Sequence, residues 1–198
     1  MYWKRTTDAT TEPITTAQAK AHLNIVDFTD DDTYIDILVA AARQKVEADT
    51  GRVFFNQTWK LYLDSFPDGV IRLPNAPLSS VASIKYYDVD NAQQTWTDTY
   101  YQSDTSHEPG RVQLGYGYSY PTTYSRLSAI EIEYVIGYGA DIDTATTIPK
   151  MMFHAMYLLI GSWYEHREEV ITGTIVSDLP DSVGYKALIN NLKVGWEY

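Results

Sequence analysis

The chain has 198 residues, no cysteine, and a formal charge of −11 from 15 Lys plus Arg against 26 Asp plus Glu. That length suits one domain, or one domain carrying an insertion, and it buries roughly 70% of its unfolded surface without help from disulfides or metals. Lack of thiols excludes cysteine nucleophiles, Cys-ligated zinc and iron–sulfur clusters, and the acidic balance excludes a duplex reader that recruits DNA with clustered Lys and Arg.

The N-terminus, Met1 to Thr7, carries positive charges with no apolar run after them, so no secretory signal is expected. The most apolar stretch, Met151 to Trp163, is shorter than the roughly 20 residues of a membrane span. A soluble protein of a reducing compartment is expected.

A first helix is predicted after Pro13, where Thr15 and Gln18 have capping-box spacing and Ala17, Ala19, Lys20, Ala21 and Leu23 favour helix. Asp30, Asp31 and Asp32 open a second helix, their charge matching its positive end; the glycine and distal glutamate of a calcium loop are missing. Ile35, Leu38, Val39, Ala42 and Val46 form one apolar stripe, with Arg43, Lys45 and Glu47 placed near the polar side. Gly51 is expected as a left-handed cap, with Arg52 a cation at the negative end.

From Val53 the period becomes two. Trp59, Leu61 and Leu63 alternate with Lys60, Tyr62 and Asp64 in a half-buried strand. A turn at Pro67 to Gly69, a short strand at Val70 to Leu73, a strand at Val81 to Tyr87 and a turn at Asp88 to Asn91 follow. Weaker strand signals lie at Thr95 to Tyr101 and Arg111 to Leu114, and Ile130 to Ile136 alternates strongly. Between them, residues 115–124 form a Gly/Tyr loop containing Tyr116, Tyr118 and Tyr120, expected to be exposed. Its glycines match no phosphate-cradling motif.

Helix returns after Pro149. Met152, Met156, Leu159 and Trp163 form one apolar stripe, and Phe153, Tyr157, Ile160 and Tyr164 form a second beside it. Such a helix is buried on several sides or lies in a subunit interface, and Trp163→Ala is expected to cost about 3–5 kcal/mol. A loop at 171–178 and a last helix opening at Pro180, with Val183, Ala187, Leu188 and Leu192 as its apolar residues, complete the chain. The order describes an α+β fold, a helical body of N- and C-terminal helices (14–52 and 148–198) around an antiparallel β insertion (53–147), as a single domain.

No catalytic constellation emerges. His154 has Leu158 at i+4 where a zinc helix needs a second ligand, and His166 beside Glu165 points another way on a helix; His166 and Arg167 read as helix-end cations. No Gly-x-Ser-x-Gly elbow occurs. Glu131 and Glu133 share a strand face about 6.5–7 Å apart, near the spacing of inverting glycosidases, but neighbours on one strand cannot face each other across a substrate. No metal, cofactor or active site is expected. The 17 tyrosines and 5 tryptophans fit either a β-rich core or contact surfaces.

In order, the motifs are Ile14-Thr15, Ala17, Ala19-Lys20, His22-Leu23, Asp31-Asp32, Ile35, Leu38, Ala41-Ala42-Arg43, Val46-Glu47, Thr50-Gly51-Arg52 and Gln57-Thr58-Trp59. The middle carries Phe66-Pro67, Ile71, Leu73-Pro74, Pro77-Leu78, Ser80-Val81, Ser83-Ile84 and Tyr86-Tyr87-Asp88. Then come Pro109-Gly110-Arg111-Val112, Ile132-Glu133-Tyr134, Gly137-Tyr138-Gly139, Ile148-Pro149, Leu158-Leu159, Trp163-Tyr164-Glu165 and Arg167-Glu168. Their shared order resembles the head–tail connector, or head-completion adaptor, family of tailed bacteriophages and prophages across residues 14 to 190. The loop at 115–124 is longer than usual for it, and the tail Trp196-Glu197-Tyr198 matches no pattern.

The resemblance implies a non-enzymatic virion protein, assembled in the host bacterial cytoplasm, that forms a twelvefold ring beneath the portal. Genomic DNA crosses its lumen without sequence-specific binding, a tail-side completion protein binds below, and neither cofactor nor membrane takes part. Phe153, Tyr157, Ile160, Trp163 and Tyr164 are then candidates for the subunit interface or core. Tyr116, Tyr118, Tyr120, Trp196 and Tyr198 are candidates for partner contact. The alternative is an aromatic-rich β module that binds a receptor or glycan, to be told apart by whether the aromatics form an exposed concave patch.

Overall fold

The computed structural model describes residues 1–167 and 183–195, and these form a mixed, α+β arrangement of helices and antiparallel sheets. They divide into two compact units. One holds Met1–Ala9, Phe55–Thr146 and the C-terminal residues from Val194; the other holds Thr10–Phe54 and Thr147–Lys193.

The helical unit begins with α1 (Thr16–Leu23), opened by the expected capping box. Thr15 Oγ1 accepts from the Gln18 backbone N–H, and the Gln18 side chain accepts from the Thr15 backbone N–H. Helix α2 (Asp32–Thr50) buries Ile35, Leu38, Val39, Ala42 and Val46, the stripe its spacing predicts. It ends at Gly51, whose φ of 68° is the left-handed conformation that glycine adopts without a Cβ penalty. Helix α3 (Lys150–Glu165) packs on α2 and on α1. Helix α4 (Val183–Asn190) packs on α3 and α2.

Three details of the helical unit depart from expectation. Arg43 and Glu47 are buried, not placed on the polar side: Arg43 Nε donates to Glu12 at 2.8 Å and Nη1 to Glu47 at 3.1 Å, while Glu47 Oε1 accepts the Phe54 N–H at 3.0 Å. Burial is tolerated because the charges compensate each other inside. Arg52 makes a bond that its place at the helix end does not reveal: its Nε donates to the Leu192 carbonyl at 2.7 Å. On α4, Tyr185 and Ile189 face inward, whereas Ala187 is exposed and Leu192 is buried beyond the helix end. The Tyr185 hydroxyl reaches Asp49 at 2.8 Å, an anchor that an aliphatic stripe does not reveal. The loop at 171–178 and the opening at Pro180 lie outside the described residues.

In the β unit, β1 (Tyr2–Thr7), β2 (Gln57–Leu63), β4 (Leu78–Tyr87), β5 (Gln93–Trp96) and β8 (Ile130–Ile136) make one antiparallel sheet in the order β1-β2-β8-β4-β5. Strands β3 (Ile71–Arg72), β6 (Tyr101–Asp104) and β7 (Arg111–Leu114) make a second sheet, ordered β3-β7-β6. Central β8 has the expected bounds, and its Ile130, Ile132, Tyr134 and Ile136 are fully buried beside Leu61 and Ile84. The expected strand at Thr95 to Tyr101 is instead split by a 3₁₀ turn at Asp98–Tyr100 into the end of β5 and the start of β6. Strand β1 carries no burial pattern at all, every residue being exposed, and is held by its ladder to β2 from Tyr2↔Tyr62 to Thr7↔Thr58. After β8 the chain turns at Gly137, where φ is 137° and a Cβ would stand 2.5 Å from the Phe55 carbonyl carbon. Only glycine fits there.

Candidate functional site

Within the helical unit, the surface of α3 sorts the five candidate residues by burial. Ile160 is wholly buried, while Phe153, Tyr157, Trp163 and Tyr164 are half-buried. Phe153 stands edge-on to Phe54 with ring centroids 5.5 Å apart, and Tyr157 meets His22 at 4.9 Å. The Tyr34 hydroxyl reaches the Trp163 carbonyl at 3.4 Å. The buried part of α3 is made by Met152, Ala155, Met156, Leu159 and Ile160, so Trp163 sits at the margin of its stripe.

The end of α3 is fastened to the start of α2 by a cluster that the spacing of residues does not reveal. Asp31 occupies the cap position of α2 but makes no side-chain cap bond. Its carboxylate accepts from Arg167 and, at 2.8 Å, from the Tyr164 hydroxyl. The Arg167 guanidinium lies over Tyr34 at 4.9 Å and Tyr164 at 4.8 Å from the ring centroids. The Arg167 bond, then the Tyr164 bond, hold Asp31 below the usual carboxylate range, and the Asp31 bond raises the Tyr164 phenol. Arg167, at the end of its helix, thus also pairs with a specific carboxylate.

In the β unit, Glu131 and Glu133 flank one cation. Lys60 Nζ lies 2.7 Å from Glu131 and 3.1 Å from Glu133, an arrangement set by the register Lys60↔Glu133 on adjacent strands. The Glu131 bond first and the Glu133 bond second raise the Lys60 pKa. Two carboxylates that converge on one ammonium from the same strand face do not stand across a substrate from each other as an acid–base pair does.

The linkage has a definite sign. A pKa raised on folding contributes stability below the unfolded lysine value of about 10.4, and that contribution is lost as pH climbs through the higher folded value. The wild-type minus Lys60→Met difference in urea midpoint should be flat from pH 8 to about 10 and narrow above that. A difference on the order of 1 kcal/mol or less is expected for these part-exposed pairs. A gap that stays constant to pH 11.5 would contradict the three-charge arrangement.

Tyr116 projects fully into solvent, and Tyr118 is exposed with its ring 4.9 Å from that of Tyr100. Tyr120 differs from both. It stacks on Phe66 at 4.7 Å, lies 5.4 Å from Trp96, and donates to the Gly69 carbonyl at 2.9 Å. Phe66, Trp96, Tyr86, Tyr101 and Tyr120 pack on one another, and burial raises the phenols of Tyr101 and Tyr120. A cleft of about 330 Å³ on the smaller sheet is lined by Gln102, Asp104, Ser106, Arg111 and Gln113, among others, without an aromatic platform. Trp196 and Tyr198 lie outside the described residues. Among the described residues no group of three or more His, Asp or Glu could hold a metal ion, and no helix is long and apolar enough to cross a membrane.

Residues 13–110 match the family model of the phage gp6-like head-tail connector protein. The fold is shared over the full chain with solved structures from gene transfer agent (GTA) particles. A chain of the virion of the native GTA particle superposes with a TM-score of 0.80 at 19% identity, covering 100% of this chain and 98% of that one. A chain of the neck of the empty particle, computed with C6 symmetry, gives 0.79 at 20% identity with the same coverage. One of the neck of the native particle, computed with C12 symmetry, gives 0.69 at 18%, again with 100% and 98% covered. No curated protein matches the chain in sequence.

Proposed function

We propose, for a chain that belongs to the phage gp6-like head–tail connector family, that it closes into a ring beneath the portal of a phage-like particle and forms part of the DNA conduit. The family match over residues 13–110 carries this reading, and the fold shared with the GTA chains supports it. Connector proteins of this family are structural, and a neck computed with twelvefold symmetry makes twelve copies the natural count for this ring. A lumen formed by copies carrying −11 each repels phosphate, so genomic DNA slides through without sticking. In this reading the helices from the two ends of the chain form the body of the ring, and the β insertion stands between them in sequence. Phe153, Tyr157, Trp163 and Tyr164 then lie at the seam between copies, and Ile160 belongs to the core. Tyr116 and Tyr118 face the tail-side partner.

Net charge opposes closure. Repulsion between copies is screened over about 8–10 Å at physiological salt, so the free protein should be monomeric or weakly associating at low salt. Closed rings should appear at higher salt, at high concentration, or on a portal template. Native mass spectrometry and light scattering across a salt series, with and without portal protein, measure this. A chain that stays monomeric throughout and never binds portal is no connector, and that result would favour the binding-module alternative.

A further inference from the structure

A further cleft lies in the helical unit, has a volume of about 230 Å³, and is lined by Lys45, Asp49, Tyr185, Lys186, Ile189 and Lys193 with one further residue. Three of the eight lysines in a chain of charge −11 therefore converge here. The one carboxylate among them is already satisfied, since Asp49 accepts from Lys45 at 2.7 Å and from the Tyr185 hydroxyl at 2.8 Å. Lys186 and Lys193 are exposed, and neither has an ion pair among the described residues. Tyr185 and Ile189 form its floor and are themselves buried. The cleft thus suits a segment that carries negative charge.

The same unit displays such a segment. Between α1 and α2, Val26 is 63% and Phe28 44% exposed, with Asp27 and Asp30 exposed beside them. Asp31 and Asp32 in this stretch are engaged with Arg167 and Lys20, whereas Asp27 and Asp30 have no ion pair among the described residues. Of the five phenylalanines Phe28 alone is exposed, and it stands between carboxylates.

The segment cannot fill the cleft of its own chain. It precedes Asp32, while Lys45 and Asp49 lie 13 to 17 residues along α2, about 20–25 Å away at the rise of an α-helix. We propose that the cleft receives the α1–α2 loop of a second copy, with Asp27 and Asp30 facing Lys186 and Lys193 and the contact covering the exposed Phe28. The two surfaces are unlike and sit at opposite ends of one helix, so the contact runs head to tail and generates a ring when its rotation closes. This deepens the connector reading and rests on it. A duplex is the poorer occupant, because two lysines neutralise few phosphates.

Charge exchange tests the contact at one salt concentration, chosen where the wild type forms rings. One variant carries Lys186→Asp and Lys193→Asp; the other carries Asp27→Lys and Asp30→Lys. All four positions are exposed, and thermal melting checks that each variant folds. Each variant alone places like charges across every contact and should need at least about tenfold more protein to assemble. A 1:1 mixture should recover wild-type assembly as rings in which the two variants alternate, seen by native mass spectrometry as equal numbers of each. Phe28→Ser should weaken assembly without lowering the melting temperature. Wild-type rings with both charge variants assembling equally well overturn this contact while leaving the connector reading intact. Variants that assemble normally but lose affinity for a DNA duplex reassign the cleft to phosphate and overturn it too. A wild type that never forms rings defeats the connector reading itself.

Discussion

Replacing Arg43 with methionine is expected to destabilise the protein by about 3–5 kcal/mol, because it takes the guanidinium away from the buried Glu47 carboxylate. Arg43 is 3% and Glu47 9% exposed, and the pair sits between Glu12 and the Phe54 backbone N–H. The loss should be read as a shift in urea midpoint, with a fall in melting temperature on the order of 10 °C for a chain of this size. The double variant Arg43→Met with Glu47→Gln should recover most of it. Glutamine keeps an acceptor for the Phe54 N–H at Oε1 and carries no charge to strand in the interior. Equal losses in the single and double variants would show that the guanidinium matters for its packing and not for its charge.

Phe54→Ala should cost a comparable amount, about 3–5 kcal/mol. Phe54 is wholly buried at the end of the segment that follows α2, and its ring meets Phe153 edge-on at 5.5 Å. Trp163→Ala, which the apolar stripe of α3 marks for a loss of that size, should cost only about 1–2 kcal/mol in the free subunit because its side chain is half-buried. Urea unfolding of the two variants at low salt, before assembly, ranks them. If Trp163→Ala proves the costlier, the end of α3 is more enclosed than the geometry allows. A Trp163→Ala variant that melts nearly normally yet fails to form rings would place that residue at the seam.

Periodic elements were legible because their cause is local. The stripe Ile35, Leu38, Val39, Ala42 and Val46 repeats on a helical period, and Ile130, Ile132, Tyr134 and Ile136 repeat on a strand period. Each reports which face meets a core without saying what lies across from it. The capping box at Thr15 and Gln18 and the left-handed Gly51 were legible for the same reason, since the groups they satisfy lie within four residues. Strand β1 was not legible. It buries nothing, and it is held by a ladder to residues 58–62 that chain order does not announce.

The sequence by itself determined the α+β class, the positions of α1, α2, α3 and β8, the absence of thiol chemistry, and the family. All of these follow from composition, from periods of 2 and 3.6, or from motifs in a fixed order. Only the tertiary structure decided that Arg43 and Glu47 lie inside, that Asp31 binds Arg167 and Tyr164 rather than capping its helix, and that Tyr120 joins Phe66 and Trp96 rather than its exposed neighbours. In the Asp31 and Tyr120 cases the partner is at least 24 residues away. Arg43 and Glu47 are only four residues apart, but their enclosure with Glu12 and the Phe54 amide has no local cause. A charge or a ring can change from solvated to buried only when such a partner arrives, because the cost of desolvation is recovered at that contact and nowhere along the local chain.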